Sequence, residues 1–61
     1  MIDVRSEGVE VVIEYPAGAE KRLSHMEALE LSNMLDDPYR IDIVVAANEA
    51  KWLYDMRNKY Y

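Results

Sequence analysis

A chain of 61 residues allows one small domain, spanning 1–61, and this chain has no cysteine and a single histidine. Disulfide bonds, thiolate zinc sites and His-rich metal centres are therefore excluded. Twelve acidic against seven basic residues give a net charge of −5, which disfavours binding to nucleic-acid phosphates. Because so small a domain buries little of its surface, we expect oligomerisation or a larger partner to stabilise it.

The first third of the chain predicts an antiparallel β-meander of two or three strands. Residues 1–5 alternate, with Ile2 and Val4 on one side, and residues 9–15 alternate with Val11 and Ile13 on the core side. The segments SEG (6–8) and PAGA (16–19) have turn compositions. Residues 20–23 can return as a short third strand, and two strands are the alternative if the first does not pair.

A helix is predicted to follow, because SHME (24–27) is a capping box. In such a box the Ser24 hydroxyl accepts from the Glu27 amide and the Glu27 carboxylate accepts from the Ser24 amide. Helix-favouring residues continue to Asp37, where the next residue, a proline, disfavours helix. Helical spacing places four apolar residues on the side predicted to be buried: Ala28, Leu31, Met34 and Leu35.

Residues 41–56, IDIVVAANEAKWLYDM, fit two patterns. The β-branched residues of its first half favour a strand over 40–46. Helical spacing instead brings six residues into one arc: Ile43, Ala46, Ala47, Ala50, Leu53 and Tyr54. Since that spacing continues unbroken through both halves, we predict one long helix over about residues 38–59. The predicted fold class is α+β, a meander followed by two helices, and the alternative is ββ(β)αβα with 40–46 as a strand.

The helical interpretation also predicts a second apolar face, almost opposite the first. It holds the only tryptophan, and its members are Ile41, Val45, Trp52 and Met56, with Tyr60 added near the end of the chain. One face closes the core, so the second is predicted to contact another copy of the chain or a target. A second candidate surface is acidic and lies on the strands: Glu10, Glu14 and Glu20.

No catalytic, cofactor-binding or metal-binding residue is predicted. His25 stands at the first helical position without a Ser or Cys nucleophile pattern beside it, and we predict that it is exposed. The two glycines lie ten residues apart and lack the pattern of a phosphate-binding loop. An enzyme whose carboxylates or tyrosines meet at a subunit interface is an alternative, but the spacing does not indicate it.

The predicted function is protein–protein interaction by a small acidic inhibitor or adaptor. It is expected to form a homodimer or higher oligomer, to bind another protein with a basic surface, and to bind neither membranes nor nucleic acid directly. In size and charge the chain resembles short acidic proteins of phages and mobile elements, many of which bind a host protein. The alternatives are a scaffold component of a larger assembly, such as a viral one, and a less favoured DNA-mimic inhibitor. Without a signal sequence or a membrane-spanning segment, a cytoplasmic location is expected.

Overall fold

A computed structural model of the protein describes residues 2–60, with Tyr60 described by its backbone alone. The elements follow in the order β1 Asp3–Glu7, β2 Glu10–Glu14, β3 Glu20–Ser24, α1 His25–Met34 and α2 Arg40–Tyr60. The predicted α+β order of a meander followed by two helices is confirmed. All three strands form, and residues 40–46 belong to helix α2 rather than to a strand.

The sheet is antiparallel with β2 in the centre and β1 and β3 at its edges. Glu7 pairs with Glu10, so Gly8 and Val9 form a two-residue hairpin turn. Gly8 has φ +62 there, the positive value that the first central residue of a type II′ turn requires. The turn therefore lies one to two residues later than SEG (6–8) predicted, and Ser6 and Glu7 complete β1.

Both helices pack on one face of the sheet, where the core lies. Val11 and Ile13 of β2 are fully buried in this core together with Leu23 of β3, as the alternation of the strand predicted. The helices contribute mostly small residues: Ala28, Ile43, Ala46, Ala47 and Ala50. Because alanines present so little side chain, α2 can approach the strands and α1 closely.

The capping box at the start of α1 is present as predicted. The Ser24 hydroxyl accepts from the Glu27 amide at 3.2 Å, and the Glu27 carboxylate accepts from the Ser24 amide at 3.2 Å. These two bonds satisfy amides that the first turn of a helix otherwise leaves unpaired. The helix ends at Met34, three residues before the predicted end, because Leu35 already has an extended backbone.

The buried side of α1 differs from the prediction. Met34 is 79% exposed, whereas His25, Ala28 and Ser32 are buried. The helix is thus rotated toward two polar residues that hydrophobic spacing could not select. Burial of Ser32 is possible because its hydroxyl donates to the carbonyl of Leu29 at 2.7 Å.

Helix α2 begins at Arg40, two residues after the predicted start at Pro38. Its 21 residues give a length of about 31 Å at 1.5 Å per residue, most of the 38 Å long dimension of the molecule. Each of residues 51–59 is exposed, although Leu53 and Tyr54 are partly covered. We call residues 51–59 the arm.

Candidate functional site

One side of α2 carries a row of exposed apolar residues, which we call the outer stripe. Its members and their exposed fractions are Ile41 63%, Val45 53%, Trp52 62% and Met56 37%. These are four of the five residues that the sequence predicted as an interface, and they lie on one side of a single helix. The side chain of the fifth, Tyr60, lies outside the described residues.

The outer stripe faces away from the core because the opposite side of α2 is tightly held. Ile43, Ala47 and Ala50 are completely buried, and Ala46 is nearly so. Ser6 of β1 adds a hydrogen bond, because its hydroxyl donates to the Glu49 carboxylate at 2.8 Å. These contacts fix the rotation of the helix about its axis, so the side chains of the outer stripe cannot pack into the core of their own chain.

The arm carries the rest of the predicted core face, which is only partly covered. Leu53 is 37% and Tyr54 44% exposed, although both were predicted to pack inward. The Tyr54 ring instead lies against the His25 ring, with 5.1 Å between centroids and a tilt of 50°. His25 is therefore buried, and its predicted exposure was wrong. No sequence pattern indicates that the end of α2 lies against the start of α1.

Shallow grooves border the outer stripe on both sides. A groove of about 420 Å³ between β1 and α2 is lined by Ser6, Asn48, Glu49, Trp52 and Leu53. A second groove of about 250 Å³, between the two helices, includes Ile41, Val44 and Val45 in its lining. A third groove, beside Val45 on the β1 side, is lined mainly by polar residues that include Arg5, Asp42 and Glu49. The apolar stripe thus has mixed polar and apolar borders along α2.

The outer face of the sheet is acidic, but its carboxylates form ion pairs with two arginines of the same face. It carries the predicted Glu10, Glu14 and Glu20, together with Asp3 and Glu7 and the two guanidinium groups of Arg5 and Arg22. Arg5 lies 2.8 Å from the Glu7 carboxylate, 3.0 Å from that of Glu14 and 3.4 Å from that of Glu20. Arg22 lies 3.1 Å from Glu7, 3.6 Å from Glu10 and 3.7 Å from Glu20.

The two arginines also cover an apolar residue. Val12 points to the outer face, where no helix packs, and yet it is completely buried. The strand register places Arg5 on one side of Val12 and Arg22 on the other, so their aliphatic stems shield it while the charged ends reach the carboxylates. Five carboxylates share two arginines, so the face keeps a negative charge. A basic partner would have to compete with Arg5 and Arg22 for these carboxylates.

This pairing predicts a loss of stability in acid. Hydrogen bonding to Arg5 lowers the pKa of the Glu7 carboxyl below its ordinary value, partial desolvation opposes the shift, and Arg22 adds to the lowering. A carboxyl with a lower pKa in the folded state stabilises the fold above its unfolded-state pKa. That contribution is lost as pH falls through the folded-state pKa. We expect the free energy of unfolding to decline below about pH 4.5, the ordinary value for Glu.

Urea unfolding of the wild type and of Glu7→Gln, from about pH 7 to about pH 3, measures this effect. The variant should be less stable at neutral pH and should lose less on acidification. Equal slopes for the two proteins would show that Glu7 contributes nothing to the acid dependence.

Neither described helix offers a stretch long and apolar enough to cross a bilayer. No three metal-binding side chains converge anywhere in the described part of the chain.

Comparison of the chain with protein-family models, with curated proteins and with solved structures found no match in any of the three.

Proposed function

We propose that this protein is a non-enzymatic protein–protein interaction module, a small inhibitor or adaptor that self-associates through the outer stripe. Its acidic sheet face is the second contact surface and meets a basic region of a target protein. The observation that carries the proposal is the exposure of Ile41, Val45, Trp52 and Met56 along one side of α2.

Energetics favour a partner on the outer stripe. Burying a large apolar side chain is worth about 1.5–3 kcal/mol, and the stripe holds four such side chains in a row. The contribution of α2 to the intramolecular core consists mostly of small side chains, because three of its four members there are alanines. Oligomerisation is one of the means by which domains of this size are stabilised.

The residue types of the outer stripe also support an interface. Tryptophan and methionine are enriched at protein contacts, and tryptophan is among the residues whose removal weakens binding most. Trp52 lies beside Leu53 in the wall of a groove, where a partner's side chain could be enclosed. The surrounding polar residues, Ser6, Asn48 and Glu49, would form the rim of such a contact.

The sheet face supports the second part of the proposal through its charge. Its carboxylates outnumber its arginines, and a basic surface would be attracted to the excess. The pairing with Arg5 and Arg22 makes this face a weaker candidate than the outer stripe. The same pairing disfavours a DNA-mimic role, since the arginines interrupt the array of negative charges.

Sedimentation equilibrium tests the self-association. We expect the mass to rise from that of the monomer to that of a closed oligomer as the protein concentration increases from about 1 to about 100 µM, the range for micromolar affinity. A mass that stays monomeric over this range would overturn the proposed self-association. A large open assembly would favour a scaffold role instead.

A further inference from the structure

We infer that the occupant of the outer stripe is a second copy of this chain, docked antiparallel across a two-fold axis. The inference rests on the proposed function, because it specifies the partner and the geometry of the self-association. Two observations carry it: the order of residues along the outer stripe, and the difference in charge between residues 1–50 and residues 51–61.

The outer stripe is arranged symmetrically about its own midpoint. Ile41 and Met56 lie equally far from the point between Asn48 and Glu49, and so do Val45 and Trp52. A two-fold axis through that point therefore places Ile41 against Met56 of the second copy and Val45 against its Trp52. Large and small side chains then face each other, as tight packing of two surfaces requires.

A parallel arrangement packs less well. It would place Trp52 against Trp52 and Val45 against Val45, so that the largest side chains meet in one layer and the smallest in another. The exposed Asn48 and Glu49 flank the two-fold axis in the antiparallel arrangement, and the Glu49 carboxylate is held toward β1 by its bond to Ser6, which leaves Asn48 as the uncharged polar residue near the axis. A polar residue at one position of a helix pair is a known means of fixing its register.

Charge separates the arm from the rest of the chain. Residues 1–50 contain eleven acidic and four basic residues, a net charge of −7, whereas residues 51–61 contain one acidic and three basic residues, a net charge of +2. A positively charged arm is attracted to the negatively charged body of another copy.

The antiparallel arrangement places these charges together. The end of one α2 helix lies beside the start of the other, where Asp36 and Asp37 are exposed just before the helix. Lys59 follows Trp52 and Met56 on the same side of α2, so it approaches this acidic pair of the second copy. Arg57 instead lines a groove with Val9 and Tyr54 on the side toward its own sheet. In a parallel pair, Lys59 would lie beside its own counterpart, and the like charges would repel.

Cysteine cross-linking distinguishes the two arrangements, and the native chain has no cysteine to interfere. A disulfide needs Cα atoms within about 7 Å. Positions 41 and 56 are fifteen residues apart on α2, or about 22 Å. In an antiparallel pair, position 41 is therefore too far from position 41 of the other copy and close to position 56.

We expect an equimolar mixture of Ile41→Cys and Met56→Cys to form the mixed disulfide dimer under mild oxidation. Its rate should exceed that of Met26→Cys, an exposed position away from the outer stripe, by at least about tenfold, since the dimer raises the effective thiol concentration. Each single variant alone should cross-link no faster than the Met26→Cys control.

The outcomes separate this inference from the proposed function. Faster self-cross-linking of Ile41→Cys than of the mixture would overturn the antiparallel arrangement in favour of a parallel pair. A wild type that dimerises in the centrifuge while every variant cross-links at the control rate would place the contact elsewhere and overturn the inference alone. A wild type that remains monomeric would overturn both.

Discussion

Replacement of Trp52 by aspartate is expected to dissociate the oligomer and leave the fold intact. Trp52 is 62% exposed in the isolated chain, so its removal takes little from the core. In the dimer it would be buried, and a carboxylate there would lose its water without gaining a partner. Loss of a central tryptophan typically costs about 2–4 kcal/mol of binding, or roughly 30- to 1,000-fold in Kd. Sedimentation equilibrium measures the change.

The matched control is Met26→Asp, which puts the same charge at a residue of similar exposure, 66%, on α1 away from the outer stripe. It should associate like the wild type. Circular dichroism must show that both variants keep their helices. If Trp52→Asp unfolds while Met26→Asp does not, Trp52 belongs to the core and the assignment of the outer stripe is wrong.

Replacement of Ile43 by alanine is expected to have the largest effect on stability. Ile43 is completely buried and is the largest side chain that α2 contributes to the core. Truncating such a residue costs about 2–5 kcal/mol. A domain of this length has a free energy of unfolding of roughly 3–9 kcal/mol, so the variant should be partly unfolded at room temperature. Urea titration followed by circular dichroism measures the loss.

The same substitution two residues earlier provides the control. Ile41→Ala removes the same atoms from a residue that is 63% exposed, and it should change the stability by less than about 0.5 kcal/mol. Both changes are best made in the Trp52→Asp background, so that dissociation does not contribute to unfolding. Equal losses at the two positions would contradict the division of α2 into a buried and an outward side.

The two sides of α2 could be predicted because helical spacing runs through the whole segment. A strand over 40–46 accounts for the β-branched residues but not for the continued alignment of Ile43 with Ala46, Ala47 and Ala50. The structure buries all four of these residues. The spacing could not show that Leu53 and Tyr54 stay partly exposed, because that depends on how much of the sheet and of α1 lies beside this part of α2.

The rotation of α1 could not be predicted, because its buried side includes polar groups. His25 is covered by Tyr54, a residue 29 positions further along the chain, and Ser32 is buried through a bond to its own helix. Hydrophobic spacing predicts that both residues are exposed and that Met34 is buried instead. Only the path of α2 relative to α1 decides which of these side chains is covered.

The acidic strand residues illustrate a similar limit. The alternation of β2 placed Glu10 and Glu14 on the outer face correctly. Their pairing with Arg5 and Arg22 required the register of all three strands, which the turn lengths determine. Val12 lies on the outer face with them, and its complete burial follows from the same register.

If another copy of the chain covers the outer stripe, the fluorescence of Trp52 should depend on the protein concentration. Trp52 is the only tryptophan, so the emission reports on this surface alone. On dilution from about 100 to about 1 µM, a range that spans micromolar affinity, the emission maximum should move to longer wavelength as Trp52 meets water. An emission maximum that stays at the same wavelength throughout would contradict the coverage of the outer stripe by a second copy.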